Sequence, residues 1–320
     1  MRFNPLLHGR PALGRYGENT KLKTLYVIGN GFDLYHELPT KYSDFNNYIK
    51  KTNVVLYNAL ENCCKFDYKW RDFEDKLSTF SITGLTKYNS EFIENDGTEY
   101  TLSAILEQAK DEIKYLPNVL NNWIIETIKY PDIEEIENPV DFQEDALFLT
   151  FNYTKTLENI YDINNVWHIH GSLTRTIKNR YDSFPDEKES ADLVVGFGEN
   201  KNVSIPDSEF ENQICGTNFE EVVSWLKKPT HSIITMNKAK FDEYSNVEKV
   251  IILGHSLGDC DIPYFQEIEN RITPNATFEI SYYDSKEKQD LQNQCRKFVK
   301  NHKVSFKEFE EFCKDFSTEE

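Results

Sequence analysis

The stretch Thr24-Leu-Tyr-Val-Ile-Gly-Asn-Gly-Phe-Asp33 constrains the chain more than any other. Residues 24–28 are β-branched, aromatic or aliphatic without a break, the composition of a parallel strand covered on both faces. Gly29 and Gly31 follow at once, so the strand runs into a tight turn. A glycine turn with uncovered N–H groups is a place where a phosphate can sit. The fuller dinucleotide fingerprint puts a third glycine where Leu34 stands, so this segment alone supports a plain tight turn just as well.

The same pattern recurs along the chain. Ala146-Leu-Phe-Leu-Thr-Phe151, Val166-Trp-His-Ile-His-Gly171, Asp192-Leu-Val-Val-Gly-Phe-Gly198, residues 248–258 and residues 277–283 each read as a short apolar strand, several ending in glycine or asparagine. Between them lie helical patterns. Pro39 and Thr40 mark a helix start, with Thr40 or Ser43 as cap. Trp70, Phe73 and Leu77 share a helical face with Glu74 beside it, which reads as core aromatics next to a surface charge. Residues 102–130 are helical with a break at Pro117. Residues 152–161, 207–246, 263–272, 285–299 and 306–316 also read as turn or helix. Residues 53–141 hold no confident strand and read as a helical insertion at about that position. Alternating strands and helices predict an α/β fold, a mostly parallel Rossmann-like sheet with helices on both faces. Ligands in such sheets gather beyond the carboxyl ends of the strands.

Composition narrows the partners. With 36 Lys and Arg against 54 Asp and Glu the chain carries a net charge of −18, which repels a polyanion, so duplex DNA is not an expected partner. The cysteines at 63, 64, 215, 260, 295 and 313 form no C-x-x-C pair, which fits a reducing cytoplasm and speaks against a four-cysteine zinc site. No apolar run approaches the roughly 18 residues of a membrane span. Residues 1–23 lack the apolar core of a secretory signal and read as a leader or disordered tail, leaving residues 24–320 as a single α/β domain.

Five motifs occur in order: Ile28-Gly-Asn-Gly-Phe-Asp-Leu34, Trp70-x-x-Phe-Glu74, Phe151-Asn-Tyr-Thr-x-Thr-Leu-Glu158, His168-Ile-His-Gly-Ser172 and Gly254-His-Ser-Leu-x-x-x-Asp261. Together they resemble the AbiH family of bacteriophage abortive-infection proteins, which in turn looks like a distant branch of the sirtuin-like NAD-binding fold. The resemblance implies that Gly29, Asn30 and Gly31 approach dinucleotide phosphates. It implies that Asn152 holds a ribose or the attacking water, that His170 acts as base toward a ribose hydroxyl or water, and that Gly254 and Ser256 meet the adenosine side. Thr154 stands where sirtuins carry an aspartate. The implied substrate or ligand is NAD or a related nucleotide, with no cofactor or metal required. A phage-derived trigger or host partner protein, and a homo-oligomer, are compatible with such a role.

The chemistry has its own rationale. Breaking a nicotinamide–ribose bond builds oxocarbenium character on the sugar, which a carboxylate such as Asp33 can stabilise. A histidine with a near-neutral pKa can take a proton from the attacking oxygen. Other uses of the same residues stand beside this one: His170 as a strand-end histidine satisfied by backbone, His168 as structural, Asn152 as a helix cap. A non-catalytic nucleotide-binding sensor or scaffold is a second function. A serine hydrolase is a third, because Gly254-His-Ser-Leu-Gly258 fits G-x-S-x-G and Ser256, Asp284 and His302 follow triad order.

Overall fold

The computed structural model describes residues 23–81, 84, 99–174, 192–203 and 219–314. The strands are β1 (Lys23–Ile28), β2 (Leu147–Thr150), β3 (Val166–His168), β4 (Phe197–Gly198), β5 (Lys227–Lys228), β6 (Val247–Leu253), β7 (Thr277–Tyr282) and β8 (Lys303–Glu308). Six of them form one sheet in the order β3-β2-β1-β6-β7-β8, and β4 and β5 form a separate pair. Every pairing between these strands is parallel. With the small pair set aside, this is the strand order of a doubly wound dinucleotide-binding sheet, and the winding direction reverses between β1 and β6.

The unbroken apolar strands are explained by burial on both faces. Leu25 and Val27 of β1, with Val250 and Ile252 of β6, pack under Phe241, Tyr264, Phe265 and Ile268. Those four residues belong to the helices Lys238–Asp242 and Ile262–Arg271. The alternate residues Tyr26, Ile28, Ile251 and Leu253 face Phe32, Leu157 and Phe309 on the other side. Between β1 and β2 a third core forms around Phe45, Leu60, Trp70, Phe73, Leu120 and Trp123. It is built by the helices Tyr42–Thr52, Val54–Cys63, Phe73–Lys76, Glu99–Lys114 and Leu116–Thr127. This helical core takes in Phe45 and so begins before residue 53. Pro117 stands in the first turn of its helix, after a break at Tyr115, where its missing N–H costs nothing.

Several local expectations are corrected. Of residues 192–198 only Phe197 and Gly198 are strand, and they pair with Lys227–Lys228 outside the main sheet, which also interrupts the helical reading of 207–246. Residues 303–308 are a strand, so the helix expected from residue 306 does not begin there. Their alternating Val304 and Phe306 register against Phe278 and Ile280, and Lys307 pairs with Glu279 at 2.9 Å. Neither Thr40 nor Ser43 caps the helix Tyr42–Thr52, whose first turn has Lys41 at its cap and no side-chain hydrogen bond. Residues 1–22 of the expected leader lie outside the described residues, and Lys23 opens β1.

The turns after β1 and β6 touch backbone to backbone. Gly29 donates its N–H to the Leu253 carbonyl at 3.0 Å, and Gly31 donates to the Gly254 carbonyl at 2.7 Å. A Cβ on Gly29 would stand 2.5 Å from the His255 Cα, and one on Gly31 would stand 2.7 Å from the Gly254 Cα. These glycines therefore serve close approach, and the two N–H groups expected to lie open for a phosphate are spent inside the protein. The chain end reaches the same place: Tyr283 donates its hydroxyl to the Gly31 carbonyl at 2.7 Å and stacks on Phe309, which also packs on Tyr35.

Gly254 combines a φ of +61° with a would-be Cβ 2.2 Å from the Phe32 nitrogen. Gly254→Ala should therefore cost more than ~3 kcal/mol and lower the thermal midpoint by several degrees in a circular-dichroism melt. An unchanged midpoint would contradict the interlock.

Candidate functional site

Because all six strands of the main sheet run the same way, the segments following β1, β2, β3, β6 and β7 emerge on one edge. A cavity of about 370 Å³ opens there, beside the β1–β6 reversal. Its volume lies within the usual range for small-molecule sites. Gly29, Asn30, Gly31 and Asp33 line it from β1, Asn152 and Thr154 from β2, His170 from β3, and Gly254 and Ser256 from β6. All nine residues singled out in the sequence thus meet around one space. The helical region supplies a further wall with Arg71, Glu74, Leu120, Trp123 and Ile124.

Hydrogen bonds fix the polar lining. Asn152 donates its amide to the Gly29 carbonyl at 3.0 Å, tying the β2 turn to the β1 turn. The residue before the following helix is Lys155, so Asn152 is not its cap. Asn30 donates its amide to the Thr40 carbonyl. Asp33 is almost wholly buried and accepts from the hydroxyls of Thr154 at 2.7 Å and Thr156 at 2.6 Å. Burial raises its pKa to about 6, against the lowering pull of Thr156, Thr154 and Asn152. His168 takes no direct place in the lining. It contacts Glu158 at 2.8 Å and the Asn152 carbonyl at 3.1 Å, supporting the β2 turn from behind.

His170 lies just past the end of β3, before Gly171 with its φ of +81°. Its Nε2 is buried and has no hydrogen-bond partner among the described residues. Burial, reinforced by the Lys228 ammonium, drives the imidazole down to about 3. This corrects the expectation of a near-neutral base, since the ring is uncharged at physiological pH.

The densest chemistry in the cavity comes from residues given little weight in the sequence. Lys228 of β5 is buried and donates to Glu74 at 2.8 Å and Asp261 at 3.0 Å. Burial pushes the Asp261 carboxyl up, but the Lys228 ammonium together with His170 and His255 pulls it further down, to about 2. The Nε2 atoms of His170 and His255 each approach Asp261 to 3.7 Å. The His255 Nδ1 accepts from the Leu257 N–H at 2.9 Å, so its proton resides on Nε2, toward Asp261. Among the described residues Glu74, Cys260 and Asp261 bring three ligand-type atoms within 4.8 Å of one another, and the Lys228 ammonium lies against all three. Glu74 and Asp261 each close a sequence motif, which was the available signal. Lys228 gave none, because β5 is only two residues long.

The hydrolase reading fails on topology. Ser256 follows β6 at the carboxyl edge, whereas His302 immediately precedes β8 and so sits at the amino edge of the same parallel sheet. His302 is held by Glu269 and the Thr273 carbonyl, and Asp284 caps the helix Ser285–Cys295 by accepting from two backbone N–H groups. No triad forms.

The family model described as Bacteriophage abortive infection AbiH matches residues 25–282. That span runs from β1 through β7 and includes every lining residue named above. No curated protein and no solved structure matches the chain. Among the described residues, no helix is long and apolar enough to cross a membrane.

Asp33 yields a test of the site's electrostatics. Its pKa rises from near 3.8 unfolded to about 6 folded, so the folded state holds the proton more tightly. The associated stability is complete below the unfolded pKa and is lost as pH rises through the folded one, a loss of roughly 3 kcal/mol. Asp33→Asn should therefore lose less stability than the wild type between pH 4 and 7 in urea melts. Parallel pH curves for the two proteins would refute the assignment.

Proposed function

Because the chain belongs to the AbiH family of bacteriophage abortive-infection proteins, we propose that it acts in abortive infection by hydrolysing NAD, or a related nucleotide, in the cavity at the carboxyl edge of its sheet. One observation carries the reading: residues from four strand ends line a single space where the strand order reverses. That is where open α/β sheets take their ligands. The likeness to the sirtuin-like NAD-binding pattern supplies the choice of NAD.

In this reading the aromatic and aliphatic wall of Trp123, Leu120 and Ile124 flanks a base, and Asn152 orients the sugar or the attacking water. The acidic groups on the cavity floor favour positive charge developing on the sugar. His170 acts through its unpaired Nε2, as a neutral group that accepts a hydrogen bond from a ligand hydroxyl, and does not store a proton. A phage-derived component or host protein acting as trigger, and self-association, belong to the same proposal.

A second reading, nucleotide sensing without turnover, draws on the mutual satisfaction of Lys228, Glu74 and Asp261 and on the weak basicity of His170. The two readings separate in one experiment. Purified protein, with and without extract of phage-infected cells, is incubated with NAD, nicotinamide release is followed by chromatography, and binding is followed by calorimetry. The hydrolytic reading expects release, reduced at least ~10-fold by Asn152→Ala and by His170→Ala. Binding without release selects the sensor, and no binding rejects both. His170→Ala turning over as fast as wild type would remove His170 from the mechanism.

A further inference from the structure

We propose that Glu74 is a catalytic residue of this site, its carboxylate facing the reacting sugar carbon, with Lys228 as the positioning residue that holds it there. The inference rests on the hydrolytic reading above and assigns the group that takes the proton from water.

Among the described residues four carboxylates line the cavity, and their oxygens are not equally free. Asp33 has a threonine hydroxyl on each oxygen. Asp261 accepts from Lys228 on Oδ1 and lies between two imidazoles. Glu287 accepts from the Tyr283 N–H at 2.7 Å on Oε2 alone and, among the described residues, has no ammonium to hold it in place. Glu74 differs. Its Oε2 is fixed by Lys228, but among the described residues Oε1 has only the Tyr153 hydroxyl, at 3.3 Å. That hydroxyl has one proton to give, and the Val194 carbonyl lies closer, at 2.8 Å. Glu74 Oε1 is therefore left short of a donor at the cavity wall. The Glu74 side chain is also more exposed than that of Asp261, 17% against 10%.

The local sequence explains the placement. Trp70 and Phe73 stack at 5.3 Å and are buried in the helical core, with Phe66 stacked on both. Anchoring these rings turns the next residue, Glu74, toward the sheet edge. Charge points the same way, because two carboxylates share one ammonium and the cluster favours a positive ligand. Burial raises the Glu74 pKa against the pull of Lys228, while Asp261 adds to the rise, which suits a carboxylate that must accept a proton.

The step balances. The bond from C1′ to the base nitrogen breaks with its electron pair leaving on the base, which turns the nicotinamide ring of NAD neutral. A water oxygen bonds to C1′, and the proton it sheds passes to Glu74 Oε1 and then to solvent. The products are nicotinamide, ADP-ribose and one proton.

The test uses the full chain with NAD as probe. Glu74→Gln leaves Lys228 and Asp261 as a one-to-one pair, so the fold should persist, as a thermal melt will register. NAD affinity by calorimetry should stay within about threefold of wild type while nicotinamide release slows at least ~100-fold. Glu74→Asp, which keeps the charge, should retain more of the rate than Glu74→Gln. Lys228→Met should move the acid limb of the pH–rate profile to higher pH, because Asp261, Tyr153 and Cys260 remain around Glu74 without the ammonium. Glu74→Gln releasing nicotinamide within about threefold of the wild-type rate would overturn the assignment and leave hydrolysis standing. Wild-type protein that binds NAD and never releases nicotinamide would overturn both.

Discussion

Two turns meet at the centre of the sheet with only backbone between them. The Gly31 N–H reaches the Gly254 carbonyl at 2.7 Å, and neither turn could carry a side chain at the contact. This approach aligns the carboxyl ends of β1 and β6 across the reversal of strand order. It also fixes Asn152, whose amide rests on the Gly29 carbonyl, and Asp33, which follows in the short helix Asn30–Tyr35. The cavity is what remains on the outer side of this contact. Its polar lining is pre-organised because Asn152 rests on a backbone carbonyl of this contact and Asp33 is held by two threonine hydroxyls.

Electrostatics sets the second condition. A lysine as deeply buried as Lys228 is stable only with paired, hydrogen-bonded carboxylates, and it draws them from two distant segments, the helical region and the turn after β6. The cluster thus cross-links the helical core to the sheet at the cavity wall. It also decides what the neighbouring imidazoles can do. Close to an ammonium and out of water, His170 and His255 are both held neutral, at about 3 and about 4. Proton transfer at this site therefore falls more naturally to a carboxylate than to a histidine.

Much of the architecture was readable because burial on both faces leaves a distinctive mark. β1, β2 and β6 are apolar runs that end in glycine or asparagine, and each was placed to within a residue or two. The nine lining residues were readable for the same reason, since a parallel sheet sends all such ends to one edge. What escaped had little local pattern. β8 alternates charged with apolar residues beside an acidic tail, and reads as helix until Val304 and Phe306 find β7. Lys228 sits in a two-residue strand, where neither periodicity nor a neighbouring motif marks it. The N–H groups of Gly29 and Gly31 were misjudged because their acceptors lie more than two hundred positions away, at Leu253 and Gly254. The histidine's weak basicity follows from its burial, reinforced by an ammonium that no spacing rule locates.

The fastening of Tyr283 and Phe309 onto the first turn has a temporal side. β1 precedes the other described strands, yet one of its neighbours, β6, and the ring that covers Gly31 lie more than two hundred positions later. Contacts so distant in sequence are slow to form, since the intervening loop must be closed first. A nascent chain still on the ribosome holds Asn152 and His170 but lacks the wall opposite them. The cavity is complete only once β6 and Tyr283 have been made, and a fragment that stops short of β6 carries an open edge on β1 in its place.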